Sequence, residues 1–187
     1  MIYLLPTDTC YGIACSIHDI KSYTWIYKIK KRDFSKPLAI LISDFKWLKD
    51  NTTLTNEQIN FLKEYKKPFT VLTDCDHLKI WMNYIDEDNN EFINRDIYKL
   101  YAFRVANNDT EKRLVKENGP MFMTSANLSN KPELYNSKEV EKEFAYYIEK
   151  EKIEFVGKNT GNLPENGTSD IFEFVGDSLD VKYLRKN

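Results

Sequence analysis

Met121–Asn130 reads MFMTSANLSN, three apolar residues running straight into Thr124, Ser125 and Asn127. A short apolar run of this kind is a buried strand, and its end is crowded with small hydroxyl and amide side chains. In open α/β sheets ligands bind beyond the carboxyl ends of the strands. The same residues also favour plain turns, because their side chains hydrogen-bond nearby backbone. Which reading holds depends on what the rest of the chain brings to this strand end.

Outward from that stretch, strands and helices alternate. Ile2–Leu5 is an apolar run stopped by Pro6, and Thr7–Gly12 (TDTCYG) is a second strand end loaded with small polar groups. Asp19 is placed to cap a helix to about Lys31, with Ile20, Tyr23, Ile26, Tyr27 and Lys30 at helical spacings. Pro37–Ile42 reads as a strand, Ser43 as the cap of a short helix carrying Phe45 and Trp47, and Thr55–Gln58 as a capping box. Phe69–Thr73 and Tyr101–Val105 read as strands, and residues 74–96 between them as an irregular flap. Asn108 caps a helix closed by Asn118-Gly119-Pro120, and Ser137 starts another to about Lys150. Ile153–Val156, Asp170–Val175 and Leu179–Leu184 supply the last strands. With no repeat and no linker, the alternation implies one α/β domain over residues 1–187.

Composition narrows the function. A chain of 187 residues with 42% apolar content, 12 Tyr and 11 Phe buries a sizeable core and is not disordered. No apolar run approaches the roughly 20 residues that span a bilayer, and no signal peptide is visible. Three cysteines without a CxxC spacing argue against a disulfide framework, so a cytoplasmic protein is expected. A net charge of −2 argues against a dedicated nucleic-acid binder.

The candidate chemical groups are scattered. Lys28–Arg32 (KIKKR) complements a helix C-terminus. If the helix ends near Lys30, Lys30 and Arg32 project together in extended chain, a pair suited to a polyphosphate. Neither GxxxxGK[ST] nor GxGxxG is present, so a nucleotide has to be held in another way. Arg104 interrupts the apolar stretch Leu100–Ala106, where a charge needs a carboxylate, either from the protein or from a ligand. Thr168 and Ser169 put hydroxyls at a strand entry, and Arg185 reads as a solvated charge near the C-terminus. Asp74-Cys75-Asp76-His77 has metal-ligand side chains but no second cluster, so no protein metal site is expected.

Taken together, Pro6–Gly12 (PTDTCYG), Lys30–Arg32, Lys36-Pro37-Leu38, Lys67–Thr70, Arg104-Val105, Thr124–Ser129 (TSANLS) and Gly167–Ser169 resemble, in order, the YrdC/TsaC family of L-threonylcarbamoyladenylate synthases. The resemblance implies a twisted, open mixed sheet with flanking helices (YrdC/RibB-like) and a positively lined groove. It implies conversion of ATP, L-threonine and bicarbonate to threonylcarbamoyl-AMP and pyrophosphate, for the N6-threonylcarbamoyladenosine modification of tRNA. Carried over by position, Lys30 and Arg32 hold ATP phosphates and carry the catalysis. Thr9, Arg104 and Thr168 hold threonine, Ser125 and Asn127 line the nucleotide side, and Arg185 closes over ATP. Mg2+ is expected to arrive on the phosphate oxygens, with a TsaD-like transferase as acceptor of the product. The alternative is a non-catalytic tRNA- or double-stranded-RNA-binding or ribosome-associated protein, contacting RNA through Lys28, Lys30, Lys31, Arg32, Lys66 and Lys67.

Overall fold

The computed structural model describes residues 1–75, 78 and 100–187 in full, together with the backbone of 83–85 and 91–93. Nine strands form one mixed sheet: β1 (Ile2–Pro6), β2 (Tyr11–Ser16), β3 (Ala39–Ile42), β4 (Phe69–Thr73), β7 (Tyr101–Val105), β8 (Met121–Ser125), β9 (Ile153–Phe155), β10 (Asp170–Phe174) and β11 (Val181–Arg185). Their order across the sheet is β11-β10-β4-β7-β3-β8-β2-β1-β9. The helices are α1 (Ile20–Lys30), α2 (Phe45–Asn51), α3 (Asn56–Glu64), α4 (Asp109–Asn118) and α5 (Ser137–Glu149). The twisted open mixed sheet expected from the sequence is the architecture seen. No helix among the described residues is long and apolar enough to cross a membrane.

Strand alternation builds the core in two layers. Leu4, Ile13, Ile40, Ile42, Phe103, Phe122 and Phe172 point to one face, which is the larger apolar cluster. Their neighbours Leu5, Ala14, Leu41, Met121 and Met123 point to the other face, joined there by Leu114 and Val115 of α4. Because both faces of the sheet centre are covered, β2 (YGIACS) is buried along almost its whole length and shows no polar alternation. That is why the sequence reading took Thr7–Gly12 as a strand end and passed over the strand that follows.

Most helix ends are those the sequence names. Asp19 caps α1, and capping boxes form at Thr55/Gln58 and Asn108/Glu111. The cap of α2 is Asp44, whose carboxylate accepts from Trp47 N at 2.8 Å, and not Ser43. The 74–96 flap is corrected in part: β5 (Asn83–Ile85) and β6 (Glu91–Ile93) pair as an antiparallel ribbon, Asp74, Cys75 and Leu78 are irregular as expected, and the rest, Trp81 included, lies outside the described residues. β11 runs to Arg185, one residue beyond the expected strand end.

Candidate functional site

On the second face of the sheet α4 packs against β1 and β3, and beside it lies a cavity of about 490 Å³. Strand parity decides which side chains reach it. Phe103 is core-facing, so Ala102 and Arg104 turn to the cavity; Val71 is core-facing, so Thr70 and Leu72 do the same. Arg104 therefore interrupts an apolar strand because it faces the cavity.

The first wall is the loop between β1 and β2. Thr7 Oγ1 donates to Cys10 O at 2.7 Å and accepts from Thr9 N at 3.2 Å, which fixes the loop around a single hydroxyl. Gly12 follows, and a Cβ there would come within 3.0 Å of Thr7 Cγ2. Arg104 reaches this loop: its Nη2 pairs with Asp8, and its Nη1 lies 3.5 Å from Thr9 Oγ1. Arg104 thus has a protein carboxylate as its partner and also lines the cavity. Burial pushes the adjacent Cys10 thiol up to about 11, against the Thr9 hydrogen bond and the charge of Arg104.

The second wall is the end of β8. Ser125 lines the cavity and its hydroxyl donates to Asn127 Oδ1 at 2.6 Å. Lys30 and Asn127 stand behind this wall and not on it. Lys30 is only 2% exposed, and its ammonium donates to Ser125 O, Asn127 O and Asn127 Oδ1, which uses all three of its protons. Burial, with the charge of Arg32 second, lowers its pKa to about 8. The expectation that Lys30 and Arg32 project together is corrected. Lys31 adopts the left-handed conformation (φ 50°) and ends the helix, so Lys30 stays on the buried stripe of Tyr23, Ile26 and Tyr27. Arg32 turns away to the cavity, its Nε and Nη2 donating to Lys36 O and Pro37 O at 3.1 and 3.2 Å.

The third wall is β10 and β11. Arg185 Nε and Nη2 donate to Ser169 O and Oγ at 2.9 and 3.1 Å, and Ser169 Oγ lies 3.1 Å from Thr70 Oγ1. Arg185 is therefore a bound group in the cavity wall, not a loose terminal charge. Its pKa is lowered by burial and then by the charge of Arg104, so the two guanidinium groups act on one another. Thr168 lines the same side.

Thr9, Arg32, Arg104, Ser125, Thr168 and Arg185, drawn from six separated segments, thus meet in one cavity. Sequence reasoning missed Thr70 and Glu133 as lining residues. Thr70 carried a signal, a polar side chain in an apolar strand; Glu133, in a polar loop, carried none. Among the described residues no group of three or more His, Cys, Asp or Glu side chains could hold a metal ion. The cavity is cationic and rich in hydroxyls, which suits phosphate and carboxylate oxygens.

The Sua5/YciO/YrdC family model, described as "Telomere recombination", matches residues 1–181. The threonylcarbamoyl-AMP synthase of Pseudoalteromonas translucida is 25% identical over 169 residues, which are 85% of this chain and 82% of that one. The fold is similar to that of P. abyssi Sua5 in its complex with L-threonine (TM-score 0.73, 21% identity, 98% of this chain and 49% of that chain). It is similar also to E. coli YciO (TM-score 0.71, 17% identity, 99% of this chain and 82% of that chain). The chain spans about half the length of the P. abyssi protein, and at these identities the structural likeness carries the fold alone. The match over residues 1–181, on a sheet of the same architecture, establishes that this chain belongs to the Sua5/YciO/YrdC family.

Proposed function

We propose that the chain is a threonylcarbamoyl-AMP synthase, joining ATP, L-threonine and bicarbonate with release of pyrophosphate. One observation carries this reading. Four cations from three separate segments (Arg32 and Lys36, Arg104, and Arg185) line a single cavity together with the hydroxyls of Thr9, Ser125 and Thr168. A triphosphate beside a small hydroxylated amino acid needs that combination. The printed names of the relatives agree: one is called a threonylcarbamoyl-AMP synthase, and another is complexed with L-threonine.

In this reading the threonine amine takes up CO2 from bicarbonate to give a carbamate. A carbamate oxygen then bonds to the α-phosphorus while the bond from that phosphorus to the bridging oxygen of pyrophosphate breaks. No enzyme nucleophile is required, so the protein contributes position and charge stabilisation. Arg104 and Thr9 bind the amino acid, with Thr168 nearby; Arg32, Lys36 and Arg185 neutralise phosphate oxygens. Ser125 and Asn127 shape the nucleotide side, and Lys30 holds their turn in place from behind. Magnesium travels on the phosphate oxygens, since Glu133 is the one carboxylate among the described residues lining the cavity. The labile product is passed to a TsaD-like transferase for the N6-threonylcarbamoyladenosine modification of tRNA.

The test is pyrophosphate release with each substrate omitted in turn. Release that requires ATP, L-threonine and bicarbonate together is expected. Release indifferent to threonine overturns the reading, as does tight tRNA retention at moderate salt with no pyrophosphate formed; the latter result establishes the RNA-binding alternative.

A further inference from the structure

Glu133 is the odd member of the cavity, one carboxylate among four lining cations. It is half-buried on the loop between β8 and α5 and makes no ion pair with another described residue. That loop is tied down on either side of the cavity wall. Tyr11 N donates to Leu134 O at 2.9 Å, and Leu163 N donates to Tyr135 O at 2.8 Å. Glu133 is thereby held beside the start of β2 and lines the same cavity as Cys10, Thr9 and Arg104. The same neighbourhood is felt at the Cys10 thiol, on which Arg104, Glu133 and Lys30 all act.

We propose that Glu133 recognises the ammonium group of the amino-acid substrate, while Arg104 takes its carboxylate. This rests on the reading of the cavity as an amino-acid and nucleotide site. An α-amino acid enters as a zwitterion, and a pocket lined only by cations attracts one end of it and repels the other. A carboxylate in the cavity wall beside the start of β2 supplies the missing sign. A metal ion is a poorer match, because a hard cation collects several oxygens and the cavity wall offers only one carboxylate. Once the amine has become a carbamate its positive charge is gone. Glu133 therefore strengthens ground-state binding more than it strengthens the transition state, so its removal raises KM and kcat together and leaves kcat/KM nearly unchanged.

The experiment is calorimetric titration of L-threonine and of 3-hydroxybutyrate, the same skeleton without the amine, into the wild-type protein and Glu133→Gln. The wild type is expected to prefer threonine by about tenfold to a hundredfold, the range of one charged hydrogen bond. Glu133→Gln is expected to bring the two ligands to within about threefold of each other. KM for threonine should rise by a similar factor and kcat should rise with it, so that kcat/KM and the affinity for magnesium-ATP stay within about twofold. Glu133→Asp, which keeps the charge, should keep most of the preference. A preference unchanged in Glu133→Gln overturns the proposal, as does a preference lost equally in the Gln and Asp variants. A loss confined to magnesium-ATP affinity overturns it too, and moves Glu133 to the metal. If wild-type protein binds no threonine, the synthase reading falls with it; if it binds threonine and the Gln variant discriminates equally well, only the role of Glu133 falls.

Discussion

Arg104 and Arg185 reach one cavity from opposite kinds of strand. Arg104 lies on β7, between β4 and β3 in the interior of the sheet, whereas Arg185 ends β11, an edge strand paired only with β10. On the interior strand ordinary alternation sets the direction of the side chain, and the ion pair with Asp8 balances its charge. The edge strand works differently. Phe174, Glu173 and Phe172 pair with Val181, Lys182 and Tyr183, but Ile171 pairs with Arg185, so Leu184 is an extra residue in a β-bulge. Tyr183 packs on the core side, and an unbroken register would turn Arg185 to that side as well. The bulge restores it to the cavity face. Asn187 N then donates to Asp170 Oδ1 at 2.6 Å, and Arg185 itself donates to Ser169. One arginine is fixed by pairing and the other by an irregularity, so they should fail in different ways.

The largest effect is expected at Arg104. Arg104→Ala leaves Asp8 without its cation, and both side chains are under 20% exposed (13% and 19%). Removing one member of such a pair costs about 3 kcal/mol of stability. KM for threonine should rise by about tenfold to a hundredfold, with KM for ATP far less affected. The double variant Arg104→Ala/Asp8→Ala should regain most of the stability while threonine binding stays lost. Urea unfolding and steady-state kinetics on the two variants separate these effects. A reversed pattern, with ATP hit harder than threonine, ends the assignment of Arg104 to the carboxylate.

A smaller and differently shaped effect is expected at Arg185. Arg185→Ala takes a donor from the buried Ser169 but orphans no charge, so stability should fall by about 1 kcal/mol, less than at Arg104. KM for ATP should rise about tenfold, the value of one charged phosphate contact. Deleting Leu184 provides a sharper check on the bulge. In the unbroken register that results, the arginine directly follows Tyr183 and still falls opposite Ile171 on the cavity face. ATP binding should therefore survive the deletion within about threefold, where simple truncation does not. If the deletion is as damaging as Arg185→Ala, the bulge does more than aim the side chain.

This contrast also explains what could be read from the sequence. The MFM–TSAN strand, the caps at Asp19, Thr55 and Asn108, and the surprise of a charge in Leu100–Ala106 are local signals, and the fold places them as read. β2 was illegible because a strand buried on both faces loses its alternation. Lys30 was half legible. Its helical spacing set it on the apolar stripe with Tyr23, Ile26 and Tyr27, yet its charge argued for an exposed phosphate ligand, and the left-handed turn at Lys31 decided for the stripe. Arg185 was legible only through the resemblance, because its own surroundings read as a solvated terminus and the bulge that aims it is a matter of pairing with β10. Glu133 acquires meaning only from the cations gathered around it, all of them distant in sequence.

The weakest but cleanest distinction between the two sides is their response to pH. Beside β7, Glu111 is 1% exposed and accepts from Asn107 N at 2.7 Å and from Asn108 N at 3.3 Å. Burial raises its pKa from 4.5 to about 7; Asp8 adds to the rise, while Arg104 and the two N–H groups oppose it. Beside β11, burial would raise Asp170 also, but the hydrogen bonds from Asn187 N and Tyr65 Oη hold it below its ordinary value. The signs therefore differ. Between pH 4.5 and 7 the folded state holds a proton on Glu111 that the unfolded chain has released. The stability from this group is thus complete below pH 4.5 and lost as pH rises to 7, by about 3 kcal/mol at most. The contribution of Asp170 runs the other way, complete above its ordinary value and lost as pH falls further. Glu111→Gln keeps a capping-box residue at the start of α4 while removing the titration. The stability difference between wild type and Glu111→Gln, read by urea unfolding at pH 5 and at pH 8, should move against the wild type by up to about 3 kcal/mol. If the difference is the same at both pH values, Glu111 carries no proton in the folded protein, and the Asp8–Arg104 pair stands beside a full negative charge.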